Sequence, residues 1–161
     1  MKVVVVGCTH AGTFAVKQIL KEHPDTEVTV YERNDNISFL SCGIALYLDG
    51  KVNDPQGLFY SNPKELADLG ANVKMLHEVK HIDVDNKQVE VEALDSHTNF
   101  TENYDKLVMT TGSRPVLPSI DGSDNANVYF CKNWHDAQAL FEKANTAKRI
   151  TIVVEATLEQ N

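Results

Sequence analysis

The sequence predicts an α/β fold in which a parallel sheet carries an inserted antiparallel β-meander. Three observations predict it. Lys2 to Val6 (KVVVV) is a continuous β-branched run, the pattern of a parallel strand buried on both faces. A glycine-bracketed loop, a helical segment and a second strand follow at once, so residues 2–32 form a βαβ unit. From Glu78 to Thr110 the pattern changes to short alternating runs separated by polar turns, the mark of strands paired antiparallel. The first two features define a Rossmann-like half, and the third an all-β insertion.

Taken in order, Gly7-Cys8-Thr9-His10-Ala11-Gly12 follows the first strand. Thr13 to Glu22 then carries Phe14, Ala15, Ile19 and Leu20 at helical spacing, and His23-Pro24-Asp25 ends the helix. Glu27 to Tyr31 is the second strand, closed by Glu32. The loop matches the dinucleotide fingerprint G-x-G-x-x-G at its first and last places, Gly7 and Gly12, with Thr9 in the middle one. Gly7 permits the tight turn and Gly12 lets the helix pack close to the strand. The N–H groups of the first helical turn then face a pyrophosphate. Thr9 brings a Cβ to the position where backbone usually approaches phosphate. Glu32 lies twenty residues after Gly12, the spacing of a carboxylate that binds an adenosine ribose. An ordinary strand–turn–helix is the alternative. The succession of strand, loop, helix, strand and acid favours dinucleotide binding over it.

Ile37-Ser38-Phe39-Leu40-Ser41-Cys42-Gly43 leads into the apolar run Ile44 to Leu48, and a helix is expected over Ser41 to Leu48, ended by Gly50. A thiol at a helix start faces backbone N–H groups that favour its thiolate, the reactive form. A buried, inert cysteine is the alternative. Asp54-Pro55-Gln56-Gly57 reads as a turn. Pro63 opens a short helix, Lys64 to Leu69, that Gly70 stops, and Ala71 to Leu76 is a third strand. Val79 to Val84, Gln88 to Leu94 and Thr98 to Glu102 form the meander. Tyr104 to Met109 returns as a central strand, and Thr110-Thr111-Gly112-Ser113-Arg114-Pro115 stops it. Pro115 to Asn127 reads as a connector, Val128-Tyr129-Phe130 as a short extended piece. Asn133 is placed to cap a helix over Trp134 to Ala144 with Ala137, Leu140, Phe141 and Ala144 on one face. Ile150 to Val154 is expected to be another buried strand.

Bulk properties narrow the function. The net charge of −8 argues against a nucleic-acid or anionic-membrane partner. No apolar run is long enough to span a bilayer, and Met1-Lys2 enters a strand directly, without a secretory pattern. Three cysteines, at 8, 42 and 131, with no C-x-x-C, predict neither a disulfide scaffold nor a structural zinc site; a reducing cytoplasm fits them best.

Three stretches taken together, G-x-T-H-x-G with Glu32, S-F-L-S-C-G, and Y-D-K-L-V-M-T-T-G-S-R-P after a β-meander, resemble the flavin-dependent NADH oxidase / NADH peroxidase family of glutathione-reductase-like flavoproteins. The resemblance covers residues 1 to about 154. It implies an FAD-binding three-layer fold, with a first FAD-binding segment over 1–115, a connector with a helix over 116–148 and the start of an NADH-binding domain over 149–161. By resemblance, Gly7, Thr9, His10, Ala11 and Gly12 line the FAD pyrophosphate, Glu32 takes the adenosine ribose, and Thr110, Thr111, Gly112 and Ser113 form the second FAD contact. Lys132 falls where the family often has a basic FAD contact. Cys42, also beside the flavin, matches the single redox cysteine that cycles between thiolate and sulfenic acid, and His10 matches the acid/base histidine.

Classical disulfide reductases of this superfamily carry a second cysteine five positions on, where this chain has Tyr47, so a one-cysteine cycle is the consistent expectation. Cys8 and Cys131 lack the helix-start setting and are expected to be inert. The resemblance further implies NADH as reductant, O2 or H2O2 as acceptor and a homo-oligomer for the complete enzyme. A CoA-disulfide or persulfide reductase is the alternative within the same superfamily, although Gly43-Ile44-Ala45-Leu46 lacks the proline usual in that branch. A nucleotide-binding fragment without turnover is the alternative outside it. Family members are several times as long, and Glu155-Ala156-Thr157-Leu158-Glu159 stands where the glycines of an NADH-binding loop are expected, so the chain is expected to be a portion of such an enzyme.

Overall fold

The computed structural model describes residues 1–153. Its parallel sheet has four strands in the order β3-β2-β1-β7, formed by β1 (Lys2–Val6), β2 (Glu27–Glu32), β3 (Ala71–Met75) and β7 (Lys106–Met109). All three pairings are parallel, with Val4 opposite Thr29 on one side and Leu107 on the other. The antiparallel meander is β4 (His77–Asp83), β5 (Gln88–Ala93) and β6 (Thr98–Asn103).

The valine run explains the layering. Successive side chains of a strand point to opposite faces. Val3 and Val5 enter one core with Val16 and Leu20 of α1 (His10–Glu22) and Leu66 of α3 (Pro63–Asp68). Val4 and Val6 enter a second core with Tyr31 and with Val89 and Val91 of β5. Helices cover one face of the parallel sheet and the meander covers the other, giving the expected three-layer Rossmann-like fold. Tyr31 ties two layers together: its buried phenol donates to Glu102 Oε2 at 2.6 Å, while Lys2 Nζ lies 2.7 Å from Glu102 Oε1.

A third apolar cluster holds the Cys42 segment. Phe39, Ile44 and Leu58 pack with Ala137 of α4 (Trp134–Ala144), and Trp134 lies against Phe39, Tyr47 and Phe59. Helix α4 begins with the expected Asn133 cap, here a full capping box with Asp136.

Several expectations are corrected. Helix α1 begins at His10, and its inward face is Gly12, Thr13, Val16 and Leu20, whereas Phe14 is 64% exposed. Phe14 sits two positions from Val16, about 200° around the helix, so it cannot share the sheet-facing stripe. Residues Ser41–Gly43 form a 3-10 turn, and only Ile44–Leu48 (α2) is α-helical. Strand β7 lies at one end of the described sheet and not at its centre. Residues 150–153 are irregular, and Ile150, Ile152 and Val153 are 66%, 81% and 70% exposed. A β-branched run becomes a strand only where a ladder receives it, and none of the described strands pairs with these residues. Val154 and the Glu155–Glu159 stretch lie outside the described residues.

Candidate functional site

The site is built where β1, β2 and β7 end on the same edge of the sheet. Gly7 leaves β1 with φ +90°, a conformation that favours glycine, and a Cβ there would lie 2.5 Å from the Thr110 carbonyl oxygen. A Cβ on Gly12 would overlap the Gly7 carbonyl oxygen, so strand end and helix start meet at backbone distance. Thr110 closes this junction from β7: its N–H donates to Val6 O at 2.9 Å and its hydroxyl to Gly7 O at 2.8 Å. The Gly loop and the Thr110 end are 103 residues apart in sequence and in direct contact in the fold.

Cys8 anchors the loop in two further directions. Its N–H donates to Glu32 Oε2 at 2.7 Å, and its carbonyl accepts the Ser38 N–H at 3.0 Å. Glu32 is 2% exposed, and its other oxygen accepts the backbone N–H and the side-chain amide of Asn34. The Cys8 thiol is fully buried; burial, with the Glu32 charge beside it, pushes it up to about 11. Thr9, the residue before α1, makes no side-chain cap, so the first N–H groups of this thirteen-residue helix are open to an external acceptor. Open N–H groups and the helix dipole both favour an anion at such a start.

Ser38 delivers the Cys42 segment to this loop. It has φ +58° and is fully buried. Its hydroxyl donates to Ser61 O at 2.6 Å and accepts the Ser61 N–H at 2.9 Å. Phe39 then pairs with Phe59, and the Leu40 N–H donates to Leu58 O at 2.8 Å. The chain turns at Ser41–Gly43 with the Cys42 thiol exposed. Gly43 packs against Leu58, which would meet any Cβ there.

His10 is the first residue of α1 and is exposed. Its imidazole lies on the Tyr60 ring with 5.5 Å between centroids and 6° between planes. Ala11 is exposed beside it. Thr111, Gly112 and Ser113 follow Thr110 as exposed irregular chain, with Gly112 at φ +66°. Lys132 precedes α4; its backbone N–H donates to Asp136 Oδ2, and among the described residues no hydrogen bond or ion pair joins its side chain to the Gly loop. Cys131 is exposed, and its thiol is raised by partial burial and by Asp136. Tyr47, at the position of a second cysteine in classical reductases, packs between Trp134 and Phe141 with its ring tilted 56° and 32° to theirs.

The structure thus joins Gly7, Gly12 and Thr110 directly, ties Glu32 to the same loop through Cys8, brings Ser38 and the segment behind it there as well, and leaves Lys132 apart. Sequence reading missed the positioning by Ser38, Tyr60 and Ser61. Ser38 lies inside the S-F-L-S-C-G match but carries no local sign of its partner 23 residues on, and Tyr60 carries none at all.

A layered α/β domain with an open helix start, a buried acid at the next strand end and a cysteine segment hooked onto the loop belongs to a definite class. The chain is a member of the pyridine nucleotide-disulphide oxidoreductase family, whose model matches residues 1–153. It is 61% identical over 153 residues to the NADH oxidase of Enterococcus faecalis, covering 95% of this chain and 34% of that protein. Its fold matches the water-forming NADH oxidase from Lactobacillus brevis bound to NADH with a TM-score of 0.90 and 70% identity, over 92% of this chain and 33% of that one. The NAD-dependent persulfide reductase from A. fulgidus matches with a TM-score of 0.84 and 28% identity, over 90% of this chain and 27% of that one. The chain therefore spans about a third of the length of the NADH oxidases it matches. The expected family and fold class are both borne out. Among the described residues no helix is long and apolar enough to cross a membrane.

Proposed function

We propose that this chain supplies the flavin-binding, thiol-bearing part of an NADH-dependent oxidoreductase that reduces O2 or H2O2. The observation that carries the reading is the double anchoring of Cys8, whose N–H is held by Glu32 and whose carbonyl is held by Ser38, making dinucleotide loop and cysteine segment one unit. Residues 1–115 are the FAD-binding segment, 116–148 the connector whose helix braces the Cys42 segment, and 149–161 the start of an NADH-binding domain.

The residues fit FAD. The uncapped start of α1 offers N–H donors to a pyrophosphate, and Gly7 and Gly12, whose Cβ positions are taken by the Thr110 and Gly7 carbonyls, hold that helix start at backbone distance from the strand end. Gly7, Thr9, His10, Ala11 and Gly12 would line that group. Glu32 would bind the adenosine ribose with the lone pairs that Cys8 and Asn34 leave free. Thr110, Thr111, Gly112 and Ser113 would form the second contact, and Lys132 an outlying basic one. When bound, FAD supplies a two-electron relay between a nicotinamide and the acceptor.

The chain's own chemistry centres on Cys42. Its thiolate attacks one oxygen of H2O2, forming the S–O bond of a sulfenic acid as the O–O bond breaks. The departing hydroxide takes a proton from His10 and leaves as water. Two electrons and one proton return the sulfenic acid to thiolate with release of a second water. Tyr47 leaves no thiol at the usual resolving position, so the sulfenic acid persists long enough to be reduced. Reduction of a CoA disulfide or persulfide at the same thiol is the second reading, supported by the likeness to the persulfide reductase.

The test is flavin titration of the 161-residue protein followed by one equivalent of H2O2 and dimedone trapping. Flavin retention with a dimedone adduct at Cys42 supports the reading. Retention without the adduct leaves a nucleotide-binding module, and loss of both overturns the proposal.

A further inference from the structure

We propose that Tyr60 is a positioning residue for His10, fixing the plane of the imidazole at the mouth of the Gly loop; this rests on the acid/base reading of His10 given above. The two rings are 6° from parallel at 5.5 Å between centroids. An offset stack of this kind restricts the rotation that an exposed imidazole at a helix start otherwise has. Tyr60 is itself held from three sides. Its hydroxyl donates to the Thr9 carbonyl at 3.2 Å, its ring lies on Phe14 at 5.9 Å and 27°, and its neighbour Ser61 is bonded through both N–H and C=O to the buried Ser38 hydroxyl.

This arrangement accounts for two otherwise odd features. Phe14 is exposed although it lies on a helix whose other face is core; with His10 four positions earlier it forms the surface on which Tyr60 rests. Ser38 adopts a left-handed backbone at a buried site, a conformation that persists only where the surroundings over-determine it. The bonds it makes there put Ser61, and so Tyr60, in fixed relation to the segment that leads to Cys42. One aromatic ring thereby couples the position of the proposed proton donor to that of the proposed nucleophile, through elements 50 residues apart.

The test is NMR of His10 in the full chain, with the resonance assigned by His10→Gln. We expect one dominant χ1 rotamer and an upfield ring-current shift of the imidazole protons. Tyr60→Leu should reduce the stacked rotamer relative to the others by roughly 2- to 10-fold, the Boltzmann worth of an aromatic pair. Tyr60→Phe, which keeps the ring, should restore the stack. Rotamer averaging in the unmodified chain, or an unchanged rotamer in Tyr60→Leu, overturns the proposal; the first is decisive even where the variant does not fold. The pH profile of Cys42 oxidation by H2O2 separates this from the acid/base reading. A profile that His10→Gln leaves unchanged removes the proton role of His10, whereas the rotamer result stands or falls independently.

Discussion

Glu32 Oε2 accepts the backbone N–H of Cys8 at 2.7 Å, joining the end of β2 to the loop that leaves β1. With 2% exposure and a second oxygen occupied by Asn34, this acid is a strut of the Gly loop as well as the proposed ribose ligand.

Glu32→Ala therefore should lower stability in the absence of any flavin. The buried Cys8 N–H is left unpaired, which costs about 1–3 kcal/mol. Urea denaturation of the flavin-free chain measures this, and an unchanged midpoint would show that the strut contributes nothing. Flavin affinity measured on the same variant should fall in addition, by about 1.5–3 kcal/mol for the lost charge-assisted bond.

Gly12→Ala should destabilise the protein by about 1–3 kcal/mol or more, because the new methyl group meets the Gly7 carbonyl and must drive helix from strand. Thermal denaturation reads the effect. Gly57→Ala, where nothing lies within 4 Å, serves as the control and should be close to neutral.

The three thiols should react in a fixed order with iodoacetamide near neutral pH. Cys42 is exposed on its 3-10 turn and should be alkylated first. Cys131 is exposed but raised by partial burial and Asp136, and Cys8 is buried and pushed up to about 11, so it should be last. Peptide mapping by mass spectrometry gives the order; early modification of Cys8 or Cys131 would remove Cys42 from the centre of the chemistry.

Acid stability should depend on Glu102. Burial alone would raise its pKa, but the hydrogen bonds from Lys2 and Tyr31 outweigh it and hold the carboxyl below its ordinary value. A depressed folded pKa contributes stability that is present above the unfolded value, about 4.3, and is lost as pH falls through the folded one. Glu102→Gln should flatten that part of the acid limb in a pH series of urea melts. Tyr31→Phe should cost about 1–2 kcal/mol at neutral pH by removing one partner of the carboxylate. A wild-type and Glu102→Gln pair with parallel acid limbs would refute the linkage.

The family and the βαβ core were legible in the sequence because they rest on short-range rules. A run of valines, a glycine where φ is positive, an acid at a fixed spacing and an asparagine before a helix each act within a few residues. Such rules also misled where a partner was required. Phe14 satisfied a helical spacing yet faces Tyr60 outside the core, and residues 150–153 have strand composition but no ladder. The tertiary structure alone decided that Thr110 seals the Gly loop, that Ser38 binds Ser61 and Cys8 together, and that Tyr60 lies on His10. Those relationships are hydrogen bonds and ring contacts between groups 23 to 103 residues apart. A side chain's type states what it is able to bond, but only the closing of the chain brings the complementary group within 3 Å of it.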